Sequence, residues 1–154
     1  APLSGGKASM WEGGIRVPCI IKWPATIEKG QVINNFISSL ELFPTILAVA
    51  GIKKPDSLII DGFNILNLLT GKEKNLQREE MFWEFRGQQA ARVGDMKLIK
   101  SSKANGLFNL ANDIGEKNDL SKNDPESYNR IMNKFNQWKE EMDKAEPRGP
   151  FRDF

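Results

Sequence analysis

Histidine is absent from this 154-residue sequence, which removes at once the commonest general acid–base group and the commonest transition-metal ligand. Whatever chemistry the chain takes part in must use other groups or borrow them. Cysteine occurs once, as Cys19, so no intrachain disulfide can form. Inside the apolar run Val17-Pro18-Cys19-Ile20-Ile21 it reads as a small core residue rather than a nucleophile. Long hydrophobic runs are missing too: Val17 to Ile21 and Phe43 to Ala50 fall far short of the roughly 20 residues a membrane helix needs, so no membrane partner is expected. Charge of one sign is not in excess. The 22 Lys and Arg nearly balance the 20 Asp and Glu, a formal charge of +2, which is too little to mark a nucleic-acid or membrane-surface partner. The opening Ala1-Pro2-Leu3-Ser4-Gly5-Gly6-Lys7 has neither an initiator Met nor the basic-then-apolar plan of a signal peptide. The chain is therefore expected to be part of a longer protein, with targeting information upstream.

What is present is enough for one modest core, with 40% hydrophobic residues. The near-continuous apolar run Val17 to Trp23 predicts a strand buried on both faces, as in a parallel sheet covered by helices. From Ser38 the pattern turns helical: Leu42, Phe43, Ile46, Leu47 and Ala50 share a face, Pro44 fits a first turn and Gly51 is a stop. Ile65, Leu66, Leu68 and Leu69 predict a second short helix. Past Gly71 the grammar is that of strands, Glu80 to Phe85, Ala90 to Val93, Met96 to Lys100 and Gly106 to Leu110, forming an antiparallel meander. Tyr128, Ile131, Met132, Phe135, Trp138 and Met142 fall on one face of a helix from about Pro125 to Lys144, begun by Asp124-Pro125. That helix is expected to pack across one face of the meander. The tail Pro147 to Phe154 has no periodicity; it is either disordered or tied down by its two phenylalanines.

Gly5-Gly6-Lys7-Ala8-Ser9-Met10-Trp11-Glu12-Gly13-Gly14-Ile15-Arg16-Val17-Pro18 closely resembles a segment of the formylglycine-dependent sulfatases, in which a Lys is followed five positions later by Glu-Gly-Gly, then Arg, then Pro. The resemblance continues in family order through Leu40-Glu41-Leu42-Phe43-Pro44-Thr45, Ala50-Gly51-Ile52, Asp61-Gly62, Ala91-Arg92-Val93-Gly94-Asp95-Met96-Lys97-Leu98, and the stretch Leu107-Phe108-Asn109-Leu110 to Asn118-Asp119-Leu120. Pieces matching in this order make a specific signal.

The resemblance implies an α/β to α+β fold, with edge elements of the large sulfatase α/β domain over residues 1–75 and the small C-terminal subdomain over 76–154. It implies that the intact parent hydrolyses sulfate esters, sulfated glycans being the expected class. Phosphate or phosphonate monoester hydrolysis within the alkaline-phosphatase superfamily is the alternative, and a non-catalytic interaction module is a third reading. Lys7 is carried over as a sulfate contact, because an ammonium placed beside the ester offsets the charge gathering on its oxygens during S–O cleavage. Trp11 is a packing residue or a sugar-stacking platform. Glu12 and Arg16 are an ion pair organising the loop or direct substrate contacts, and Gly13 and Gly14 allow a backbone turn that side chains would block. Arg92 reads as a structural salt bridge. Glu80 to Phe85 either lines a carbohydrate-facing surface or packs Phe82 and Trp83 in a core. The acidic group Asp113, Glu116, Asp119 and Asp124 lacks the spacing of a calcium loop. Glu41 stands where the family usually has Asp, which touches helix capping.

The family's Cys/Ser-x-Pro-x-Arg nucleophile motif is not in this sequence: Cys19 is followed by Ile20-Ile21-Lys22-Trp23. Formylglycine, calcium and the family's histidines are expected of the intact parent and not of this chain, which alone is expected to be inactive. The partners implied are the N-terminal portion of the same protein and a sulfated small molecule or glycan. A periplasmic or extracellular setting follows by family analogy alone.

Overall fold

The computed structural model describes residues 2–102 and 104–145; the tail from Pro147 lies outside them. In chain order the helices are α1 (Glu12–Ile15), α2 (Leu42–Val49), α3 (Leu66–Leu69) and α4 (Pro125–Lys144), and the strands are β1 (Glu80–Phe85), β2 (Gln88–Val93), β3 (Met96–Lys100) and β4 (Asn105–Asn109). None of the described helices is long and apolar enough to cross a membrane. The chain forms two compact units. One is Pro18–Glu79, and the other joins the segment up to Val17 to the segment from Glu80 onward.

The second unit is the four-stranded antiparallel meander β1-β2-β3-β4, with a helix on its flank as the sequence pattern predicts. Tight turns set its register. Arg86 and Gly87 both have positive φ, 49° and 74°, between the paired Phe85 and Gln88, the backbone that a two-residue hairpin with the sheet's own twist requires. Strand side chains alternate between faces, and both faces are covered. On one face Phe82, Ala91, Leu98 and Leu107 form a row across all four strands and pack against Ile131 and Phe135 of α4. Phe82 stacks on Trp138 with ring centroids 5.6 Å apart. The helix is capped as its sequence predicts: Asp124 accepts from Ser127 N–H at 3.0 Å, with Pro125 in the first turn. On the opposite face Ala90, Ile99, Phe108 and Trp83 meet Met10, Trp11 and Ile15. The segment up to Val17 is thus the second cover of the sheet.

The first unit is looser and is held by one polar knot. Ser38 and Glu41 form a reciprocal capping box that opens the turn Ser39–Glu41 leading into α2. Glu41, whose side chain is fully buried, also accepts from Arg78 Nε at 3.0 Å and pairs with Arg78 Nη2. Arg78 in turn donates to Asp61 O at 2.9 Å and lies over the Phe63 ring, 5.5 Å from its centroid. Thr45 Oγ1 donates to Glu41 O at 2.6 Å and accepts from Ile65 N–H at 3.0 Å, tying α2 to the start of α3. The role of Glu41 is therefore wider than the capping read from sequence: it is a buried counter-ion. Helix α2 ends at Gly51, φ 69°, where Gly51 N–H bonds Ala48 O and Ile52 N–H bonds Leu47 O, a left-handed stop that satisfies the last carbonyls. Ile65, Leu68 and Leu69 form the small apolar centre with Ile27, Ile33, Ile37, Phe63 and Leu76.

Two expectations are corrected. Residues 17–23 do not form a strand, and Cys19 is exposed rather than in the core. A strand buried on both faces needs hydrogen-bonding neighbours on both edges. The meander is the one sheet among the described residues, and its ladders do not include this segment, so Ile20 stands 94% exposed.

Removing one partner of a buried ion pair leaves the other charge uncompensated, at a cost of about 3–5 kcal/mol. Arg78→Met is accordingly expected to strip protection from the Ile65 amide in hydrogen exchange, on that scale, while the amides of β3 keep theirs. Unchanged exchange at Ile65 would contradict the knot's role.

Candidate functional site

The loop from Ser4 to Ser9 is short, strained and fastened. Gly5 and Ala8 have φ of 69° and 67°, a left-handed conformation that costs a non-glycine residue about 1–2 kcal/mol and persists only where surroundings enforce it. The enforcement is visible. Gln88 Nε2 donates to Ala8 O at 3.0 Å, Ser9 N–H to Gly6 O at 3.1 Å, and Ser9 Oγ accepts from Gly6 N–H at 3.2 Å. Between these ties Lys7 is exposed, with no hydrogen bond or ion pair among the described residues. The loop closes on α1 through Gly13 N–H donating to Ser4 O at 2.8 Å. A Cβ added at Gly13 would stand 2.5 Å from Ser4 O, and one added at Gly14 would collide with Ser9 O. Two strands of backbone pass here at a separation that no side chain fits.

Beneath α1, on the sheet face it covers, Lys97 of β3 is buried completely. Its Nζ donates to Glu12 Oε1 and to Glu116 Oε1, both at 2.7 Å. Glu116 uses its second oxygen to accept Glu12 N–H at 2.7 Å, and Glu12 uses its second for Arg16 Nη1 at 3.4 Å. One ammonium and two carboxylates thus join the strand, the loop and the 113–118 turn. Glu116 sits in that turn with φ 52°. Burial raises its carboxyl above the ordinary value, against the hydrogen bonds from Lys97 and from Glu12 N–H. The same turn also holds the loop through Ser4 Oγ, which donates to Gly115 O at 2.6 Å and accepts from Lys117 Nζ at 2.9 Å.

Sequence-predicted residues fall around this cluster with different fates. Trp11 packs on Phe108, centroids 5.4 Å apart. Glu12 is buried and shared between Lys97 and Arg16, whose side chain is half exposed. Arg92, beside Lys97 in the sheet register, donates to Gly94 O at 2.8 Å and pairs loosely with Asp95 at 3.8 Å. Burial lowers its affinity for the proton, while Glu12 and Asp95 oppose that. Phe82 and Trp83 belong to the two cores. Asp113, Asp119 and Asp124 each take backbone N–H donors, Lys117 and Asn118, Leu107 and Ser121, and Ser127 respectively. Sequence reading missed Lys97. The available signal was a lysine at an inward position of an otherwise apolar strand, Met96-Lys97-Leu98-Ile99, which demands a buried partner.

Residues 6–145 match the family profile described as "N-sulphoglucosamine sulphohydrolase, C-terminal". The chain belongs to the sulfatase family. Among curated sulfatases, human steryl-sulfatase is 46% identical over 78 residues, which is 51% of this chain and 13% of that protein. A sulfatase of Formosa agariphila is 27% identical over 164 residues, 90% of this chain and 29% of that protein. The crystal structure of Ps i-CgsB in complex with k-i-k-neocarrahexaose superposes with a TM-score of 0.78 at 31% identity, over 89% of this chain and 32% of that one. The chain therefore spans less than a third of the sulfatases it matches here. Of the groups the family resemblance implies, neither formylglycine nor calcium finds a fit in this part. The sequence holds no Cys/Ser-x-Pro-x-Arg motif. Among the described residues no three His, Cys, Asp or Glu side chains converge on a metal position, and the acidic groups near the loop are occupied by Lys97 or by backbone N–H donors.

These carboxylates give opposite pH signatures. Asp113 is held below its ordinary value of 3.8 by the N–H groups of Asn118 and Lys117. Asp119 is lowered too, desolvation being outweighed by Leu107 and Ser121, and Asp124 is lowered by Ser127. For all three the unfolded chain binds protons more readily, so their stabilisation is complete above the ordinary value and is lost as pH falls below it. Glu116 is raised, so its contribution declines as pH climbs through and above its ordinary value of 4.5. Asp124→Asn, which keeps an acceptor for the helix cap, is expected to flatten the acid limb of a urea-midpoint-against-pH curve. Glu116→Gln is expected to alter the limb above it. An acid limb unchanged by Asp124→Asn would contradict the assignment.

Proposed function

We propose that this chain is the C-terminal part of a sulfatase that hydrolyses sulfate esters of glycans, and that Lys7 contacts the sulfate group. The observation that carries the reading is the exposed Lys7 ammonium, without a partner among the described residues, on a strained loop braced at Gly6, Ala8 and Ser9, in a chain of this family. A sulfate ester accumulates negative charge on its non-bridging and leaving oxygens as the S–O bond breaks. A cation held in advance stabilises that charge without reorganising, which is where such groups contribute most. The glycan class is supported by the 31% identical neighbour solved with a neocarrahexaose oligosaccharide. Formylglycine, when present in the parent, supplies the attacking oxygen, and calcium is the metal expected beside it. Both belong to the portion this chain lacks, so the chain by itself turns over no ester.

The partner is the remainder of a longer sulfatase chain. Support comes from apolar side chains left in water, with Ile20 94%, Ile59 88% and Val32 82% exposed and Phe43 and Ile46 of α2 more than half exposed, more than scattered surface residues account for. The 154-residue chain alone is expected to bind an apolar fluorescent dye and to self-associate in sedimentation, and the full-length protein to do neither.

In the full-length protein, release of inorganic sulfate from 4-nitrophenyl sulfate and from sulfated oligosaccharides is the direct assay. Lys7→Ala should lower kcat/KM by about 10²–10³, the usual loss when one charge-stabilising donor is removed. Faster cleavage of 4-nitrophenyl phosphate than of the sulfate would transfer the reading to phosphate monoester hydrolysis.

A further inference from the structure

Lys97 lies in β3 and pairs with Glu12, 85 positions earlier in the chain and just beyond the loop that carries Lys7. Both its carboxylate partners lie outside the sheet, Glu12 at the start of α1 and Glu116 in the 113–118 turn. Each partner's other oxygen is also committed, to Glu12 N–H and to Arg16. Burying three charges is a poor way to gain stability, since apolar residues of similar volume usually do as well or better. It does fix position. Apolar packing of Met10, Trp11 and Ile15 on the sheet is non-directional and allows a loop to slide, whereas two 2.7 Å charge-assisted bonds from one ammonium set both its height and its lateral place. The 113–118 turn repeats the hold at Ser4, which donates to Gly115 O and accepts from Lys117 Nζ. Lys7 stands between the two attachments, at Ser4 and at Glu12, next to the left-handed Ala8 that Gln88 and the Gly6–Ser9 bonds hold in place.

We infer that Lys97 and Glu116 are positioning residues for the Lys7 ammonium, registering its loop against the sheet so that the cation meets the sulfate oxygens in place. The inference rests on Lys7 being the sulfate contact. Misplacing a catalytic cation by about 1 Å is enough to cost a large part of its effect, so the loss should appear in turnover more than in substrate capture.

The test is a double-mutant cycle in the full-length enzyme, read as kcat and KM on 4-nitrophenyl sulfate, with thermal unfolding recorded for each variant. Lys97→Met should lower kcat by about tenfold or more with Lys7 present, and by less than about twofold in a Lys7→Ala background, because groups acting as a unit are not additive. A purely structural Lys97 would lower activity by the same factor in both backgrounds, and that result overturns the inference while leaving Lys7 as the sulfate contact. An inert Lys7→Ala overturns both. If Lys97→Met does not fold, Ser4→Ala, which severs the second attachment without touching the buried charges, enters the same cycle. It should lower kcat several-fold with Lys7 present and have no further effect without it; equal losses in the two backgrounds overturn the inference.

Discussion

A buried ammonium governs where the Ser4–Glu12 segment can lie. Lys97 occupies an inward position of β3, where a charge without partners would be prohibitively expensive to desolvate. The structure answers with two carboxylates at 2.7 Å, and both come from segments that the sheet itself does not contain. The geometry of everything above the sheet is thereby constrained. Glu12 must sit over β3, Gly13 and Gly14 must pass the Ser4–Ser9 backbone at a separation closed to side chains, and the 113–118 turn must fold back far enough for Glu116 to arrive.

The unit Pro18–Glu79 uses the same device with different parts. Its apolar centre is small, and the buried carboxylate of Glu41 is answered by Arg78 and by the capping-box N–H of Ser38, while its backbone carbonyl is tied through Thr45 to the start of α3. Arginine suits that place, since its flat fork serves Glu41 and Asp61 O at once while its face rests on Phe63. No buried side-chain nitrogen or oxygen among the described residues lacks a hydrogen-bond partner, so in both units buried charge acts as a locating element without an orphaned group.

The parts of this architecture that were legible in the sequence are those decided locally. Alternation and turn residues mark the four strands, and the cap Asp124-Pro125 with the stripe through Ile131 and Phe135 marks α4 to its ends. Gly51 marks the end of α2. What was not legible depends on segments distant in sequence. Val17 to Trp23 has strand composition, but a ladder needs neighbours, and without them the segment forms no strand and leaves Cys19 in solvent. The covering of the sheet by Met10, Trp11 and Ile15 carries no local signal, because three apolar residues in a glycine-rich loop fit many surfaces. Glu12 and Arg16 announce a pair by their spacing of four. The partner that dominates Glu12 lies far along the chain in a strand whose single charged inward residue was the only clue.

That distance has a consequence for assembly. Glu12 and Lys97 are 85 positions apart, and closing a segment of that length costs on the order of 4 kcal/mol of chain entropy before any contact forms. During synthesis the glycine loop leaves the ribosome before β3, and the Glu12 carboxylate has to stay hydrated until β3 and then the 113–118 turn have followed it out. The meander and α4 bury their shared face through contacts near in sequence, which form early and quickly. The loop bearing Lys7 is thus the last piece to settle, laid onto a sheet whose other side is already dry, and its final conformation is written by residues translated long after its own.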